Sequence, residues 1–174
     1  MKRLGSLVFA TLLSAGPVLG AMDHVVVARE RGLFVAWPAN GGLWTWDDGR
    51  EALVAFIGGA FNEQPGHNIG EAHTNLAARS CDGGLTWRIE RPAGFAQPGV
   101  PFAERKAPVD FTRPGFALRC TATGYHGAVD PRGGVLFSYD RGRTWAGPFR
   151  FGGLDGCDLL KGWEVTCRTD YLVN

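Results

Sequence analysis

The chain has 174 residues, with 18 Lys and Arg against 17 Asp and Glu and a formal net charge of +1. No basic run interleaves with aromatic residues, which argues against nucleic acid as a partner. Gly at 26 and Pro at 10 are scattered rather than pooled, and with six Trp and 11 Phe beside them they fit many short strands joined by tight turns.

In chain order, Met1-Lys2-Arg3 is a short basic start and LGSLVFATLLSAGPVLGA an apolar run ending in small residues. Residues 1–21 therefore read as a secretory signal peptide cleaved after Gly20-Ala21, which predicts a secreted or periplasmic product with no membrane part after cleavage. The other reading is an uncleaved anchor. Gly5, Gly16 and Pro17 interrupt it, and no second charged flank follows. About 150 residues remain, enough for one core of ordinary size.

The rest of the chain lacks a sustained helical stripe, and Gly or Pro breaks almost every window of ten. What recurs is short apolar or alternating runs bounded by turn residues: DHVVVARE, GLFVAWP, GLWTW, EALVAFI, TNLAARS, LTWRIER, FALRCTA, GVLFSYD, RTWAGPFRF and WEVTCRTDYLV. This predicts an all-β, mainly antiparallel protein. The four Cys are 81, 120, 157 and 167, and none has the C-x-x-C spacing of a zinc site. Cys157 and Cys167 are the first pair to expect as a disulfide, with buried thiols the alternative.

One octet is written twice. SCDGGLTW spans Ser80 to Trp87, and SYDRGRTW spans Ser138 to Trp145, 58 residues later. Each copy follows one strand-like run and opens the next, so it reads as a hairpin turn. Asp82 and Asp140 are suited to accept backbone N–H bonds, and Gly84 and Gly142 to take left-handed backbone. Ser80, Thr86, Ser138 and Thr144 can satisfy further backbone groups, while Trp87 and Trp145 anchor the outgoing strand. A period of this length holds about four strands, the size of a propeller blade. The expected layout is a first blade over 25–92, a connection over 93–108, a second blade over 109–151 and the start of a truncated third over 163–174.

Ser-x-Asp-x-Gly-x-Thr-Trp is the Asp box, or BNR repeat, and its recurrence resembles the sialidase superfamily. The resemblance implies a six-bladed β-propeller of which this chain holds about two and a half blades. The expectation is thus a fragment of a longer propeller protein or a prematurely ended frame, with several copies completing one ring as the alternative. It also implies that the two octets are structural turns at the rim, and that the complete protein acts on or recognises glycans, with exo-α-sialidases among its relatives. A non-catalytic binding or scaffold module, or a fragment without function, is the competing expectation. No cofactor or metal is expected from the residues, although some members of the superfamily bind calcium.

Sialidase chemistry uses an Arg cluster against the substrate carboxylate, a Tyr nucleophile assisted by a Glu, and an Asp acid/base. On the resemblance, the first-blade Arg falls on Ala36, in Ala36-Trp37-Pro38. The acid/base Asp falls in Gly58-Gly59-Ala60-Phe61-Asn62, where Glu63 is the nearest substitute. Other candidates are Arg168, Asp170 and Tyr171, expected near the axis on the third blade, and Asp110 near the start of the second. A local surface ion pair is the plainer reading of Arg168 and Asp170. Tyr125-His126 fits a sugar-stacking or turn-capping pair. His67, Glu71 and His73 in HNIGEAH read as a polar loop rather than a metal site. Trp44 and Trp46 share one face of a strand and, with Trp37, read as interblade core ahead of a sugar platform.

Overall fold

A computed structural model describes residues 24–95, 97, 99–121 and 133–151. These residues are mostly β, arranged in two antiparallel sheets with one short turn of helix among them. The first sheet contains β1 (Leu33–Ala36), β2 (Leu43–Trp46), β3 (Glu51–Phe61), β4 (Ile69–Ser80) and β5 (Arg88–Glu90). Its order is β1-β3-β4-β5, with β2 also paired to β3. Because β1 pairs with residues 57–60 of β3 and β2 with residues 51–54, the two short strands lie end to end. The sheet therefore has four rows. Helix α1 (Pro38–Gly41) makes the step between β1 and β2, and Gly41 is required there because a Cβ would lie 2.0 Å from the Ala55 carbonyl oxygen.

The second sheet runs β6 (Ala117–Thr121), β7 (Gly134–Ser138) and β8 (Ala146–Arg150), in that order. β3 explains the apolar run EALVAFI. Successive side chains alternate across a strand, and here both faces are covered, so no polar alternation survives. Leu53 and Ala55 enter a core between the sheets with Trp44 and Ala77, meeting Ala117, Leu136 and Trp145 of the second sheet and Phe95 of the connection. Phe56 points the other way, into a separate cluster with Leu76 and Ala78.

The segment 93–108, expected as a plain link, also edges the second sheet. Ala93 bridges Thr144 and Ala103 bridges Phe149, both in parallel. Trp145 N donates to the Ala93 carbonyl at 2.8 Å, and Ala103 N to the Pro148 carbonyl at 2.9 Å.

Two local expectations are corrected. DHVVVARE forms no strand. Val27 and Ala28 instead pack against the Phe56–Leu76 cluster, while Val25 and Val26 stay exposed. HNIGEAH is not a loop throughout, because Ile69–His73 belongs to β4, paired to the far end of β3 across an irregularity between Gly59 and Phe61. Among the described residues no helix is long and apolar enough to cross a membrane.

Candidate functional site

The two octets join the last two strands of each sheet, β4 to β5 and β7 to β8. Their internal bonds correspond atom for atom. In the first, Ser80 Oγ donates to Asp82 Oδ1 at 2.8 Å and accepts from Gly84 N at 2.8 Å. Asp82 accepts from Thr86 N at 2.9 Å and from Thr86 Oγ1 at 2.5 Å, and Trp87 Nε1 donates to the Gly84 carbonyl at 2.9 Å. In the second, Ser138 Oγ donates to Asp140 Oδ1 at 2.7 Å and accepts from Gly142 N at 2.9 Å. Asp140 accepts from Thr144 N at 2.9 Å and Thr144 Oγ1 at 2.6 Å, and Trp145 Nε1 donates to Gly142 at 3.0 Å. Every polar side chain of the motif is thereby spent on its own turn.

The correspondence extends beyond the octet. Gly83 N donates to the Arg50 carbonyl at 2.9 Å, and Arg141 N, one motif later, donates to the Gly115 carbonyl at 2.8 Å. What differs is the side chains at the motif's fourth and sixth positions, Gly83 and Leu85 in the first copy and Arg141 and Arg143 in the second. Both arginines reach back to the first sheet. Arg141 pairs with Asp47, and with Glu51 at 2.8 Å, while Arg143 Nη2 reaches Glu51 at 2.9 Å. Arg79, buried on β4, donates from Nη1 to Glu51 at 2.7 Å and to the Arg141 carbonyl at 2.9 Å, and from Nε to Glu90 at 3.0 Å.

Three guanidiniums, Arg79, Arg141 and Arg143, thus meet Asp47, Glu51 and Glu90, and the exposed Arg88 reaches Glu90 at 3.1 Å as a fourth. The cluster's effect is to lock the second octet against the first sheet, through Arg141 and Arg143 on Asp47 and Glu51. Asp47 is held low by its bond to Arg141. Burial pushes Glu51 up, but the bonds and charges of Arg141, Arg143 and Arg79 outweigh it and leave the carboxyl low. The pairing raises Arg141 further above its ordinary value. No periodicity marks these residues in the sequence. The available signal was the pair of arginines at motif positions where the first copy has Gly and Leu.

The octet carboxylates titrate in the same direction. Bonds from Thr86 and then Ser80 bring Asp82 down to about 2. Asp140 feels burial, which raises it, but the Thr144, Ser138 and Arg143 donors hold it low. When folded values lie below unfolded ones, the unfolded chain binds more protons, so stability is complete above the ordinary carboxylate pKa of about 4 and falls as pH drops through the folded values. Melting temperature at constant ionic strength is therefore expected to be flat above about pH 5 and to decline between about pH 4 and 2. A flat profile through that window would contradict the assignment.

The sequence candidates disperse. Glu63 is exposed beyond the end of β3. Asp110 is exposed on a turn ahead of β6, not on an inner strand, and its Oδ1 accepts from Thr112 N at 3.0 Å and Thr112 Oγ1 at 2.7 Å while its own N–H meets Tyr139 Oη at 2.9 Å. These bonds lower its pKa, with the Thr112 hydroxyl first. Ala36 ends β1 and lines an apolar cleft of about 200 Å³ with Val27, Val35, Val54 and Phe56. Gly58 and Gly59 lie inside β3, where a Cβ would meet Leu76 Cδ1 at 2.5 Å and Ile69 Cγ1 at 2.8 Å. Trp44 is core, its ring 5.3 Å from that of Trp145, and Trp46 packs beside it. Trp37 lies edge-on to His67 at 4.9 Å. His73 Nδ1 bonds the Glu71 carbonyl at 3.0 Å, and among the described residues no group of three His, Cys, Asp or Glu is placed to hold a metal. Tyr125, His126, Cys157, Cys167, Arg168, Asp170 and Tyr171 lie outside the described residues.

Comparison with protein-family models, with curated proteins and with solved structures finds no match.

Proposed function

We propose that the chain is an exported sialidase-type propeller whose sheets are two of its blades, and that it recognises glycans without hydrolysing sialosides. The observation that carries this reading is the doubled octet: the same bonds recur at the same place, between the last two strands of an antiparallel sheet, and the first sheet has the four rows of a blade. Exclusion of hydrolysis draws on the two positions where the resemblance expects catalytic groups. At one, Ala36 presents a methyl group to an apolar cleft with nothing to grip a carboxylate. At the other, Leu76 and Ile69 occupy the space that a side chain on Gly58 or Gly59 would need. A fold alone does not assign a reaction, and what weighs against turnover is the chemistry at Ala36 and at Gly58 and Gly59.

Two assays test the reading on the full chain. A fluorogenic sialoside is expected to show no turnover above blank, and a glycan array is expected to retain the protein on sialylated or other acidic glycans. Turnover would restore the hydrolase reading. An array with no bound glycan would end the glycan reading altogether.

A further inference from the structure

Four described residues other than glycine hold positive φ: Trp37, Asp47, Asp48 and Arg141. Aspartate tolerates left-handed backbone, and Arg141 is fixed there by its pairs with Asp47 and Glu51. Trp37 has neither reason. Its φ of 57° and ψ of 50° are left-handed, where a bulky side chain is an outlier, and the following Pro38 steers its predecessor toward extended backbone. A glycine would make the same step from β1 into α1 without that strain. Core packing does not explain the choice, because Trp37 is only half-buried and belongs to neither core cluster. A strained residue of this kind points to a use for its side chain.

Trp44, Trp87 and Trp145 each spend their Nε1–H on a carbonyl. Among the described residues, the Trp37 indole N–H has no hydrogen-bond partner, and neither has a ring nitrogen of His67 beside it. His67 is exposed, its ring 4.9 Å from the indole and at 89° to it, and the Phe34 ring stands edge-on to the same indole at 6.1 Å. The backbone of His67 is pinned. Its carbonyl accepts from Gln64 Nε2 and from Ile69 N, both at 2.8 Å, and the same Gln64 amide reaches the Ile69 carbonyl at 2.8 Å. Indole and imidazole thus form a corner that is built before any ligand arrives, which keeps the ordering cost of binding low.

We infer that this corner binds a neutral galactose-type pyranose, its C–H face stacked on the Trp37 indole and its hydroxyls bonded to Trp37 Nε1–H and to the His67 imidazole. The face of an aromatic ring is the negative side of its quadrupole and attracts polarised C–H groups. A galactose ring gathers such groups on one face and carries hydroxyls at its rim. The indole N–H donates, and a neutral imidazole offers one donor and one acceptor, which suits hydroxyls that do both. Neither ring carries a permanent charge, so an acidic unit of the same glycan would lie outside this corner. The inference rests on the glycan reading above and specifies the sugar ring and its place.

Saturation-transfer NMR of the full chain, titrated with methyl β-galactoside, provides the test. A dissociation constant of about 1–10 mM is expected for one small sugar on one ring. Trp37→Gly is expected to weaken binding at least about tenfold, while the melting temperature holds or rises because glycine relieves the left-handed strain. His67→Ala is expected to weaken it about fivefold, the loss of one hydrogen bond. No galactoside binding at about 50 mM, with the wild type still retained on the glycan array, overturns this site and leaves the glycan reading standing. No binding in either assay ends both. Undiminished binding by Trp37→Gly also overturns the inference. So does a Trp37→Gly chain that melts several degrees below the wild type, since the ring would then be held there for packing.

Discussion

Glu51→Ala is expected to destabilise the protein by about 3–5 kcal/mol, a large fraction of the total for a single domain. Glu51 is 7% exposed and takes bonds from Arg79, Arg141 and Arg143. Arg143 is half in solvent and would find water. Arg141 would keep Asp47. Arg79 decides the outcome: its side chain is 6% exposed, and its Nη2 is already buried without a partner. Without Glu51, only Glu90 would neutralise a buried guanidinium, and an uncompensated buried charge is the costly product of breaking such a pair. The paired replacement Glu51→Leu with Arg79→Met is expected to recover most of the loss, since it removes the charges together. Guanidinium denaturation midpoints measure both. If Glu51→Ala cost under about 1 kcal/mol, the range of a surface ion pair, the lock between sheets would not be a determinant of the fold.

That lock shows where sequence reading reaches and where it stops. The octets were legible because a turn's chemistry is local: Ser, Asp, Gly, Thr and Trp each act within four residues of one another. Strand runs such as EALVAFI and GVLFSYD were legible for the same reason. DHVVVARE has a strand's composition, but a ladder needs a partner backbone, and Val27 and Ala28 found an apolar sheet face instead. HNIGEAH has a loop's composition, yet β3 is long enough to carry β4 with it through His73. Gly58 and Gly59 read as the loss of an acid. In space they are the close approach that lets Leu76 and Ile69 pack across β3. The ionic cluster draws on positions 47, 51, 79, 88, 90, 141 and 143, which no period connects. Only aligning the two repeats, and asking why one has Arg where the other has Gly and Leu, brings it into view.

The same alignment yields the second large effect, a contrast between two tryptophans in one motif. Trp145→Ala is expected to cost about 3–5 kcal/mol, as for other buried aromatic truncations. Its ring is 6% exposed and lies 5.3 Å from Trp44 and 5.4 Å from Phe95, so its loss opens a void at the junction of both sheets and the connection. Nearby backbone cannot readily close that void. Gly142 already lies so near that a Cβ would meet Leu53 Cδ2 at 2.3 Å, and Gly94 so near that its Cβ would lie 2.0 Å from the Trp145 carbonyl oxygen. Trp87 makes the same indole bond to its own turn but is only half-buried against the Phe56–Leu76 cluster. In a single chain, Trp87→Ala is therefore expected to cost only about 1–2 kcal/mol, from partial apolar burial. Denaturation curves at low protein concentration measure this difference. Equal penalties at low concentration would mean that the two faces are covered alike within one chain, and the asymmetry between the octets would lose its physical basis.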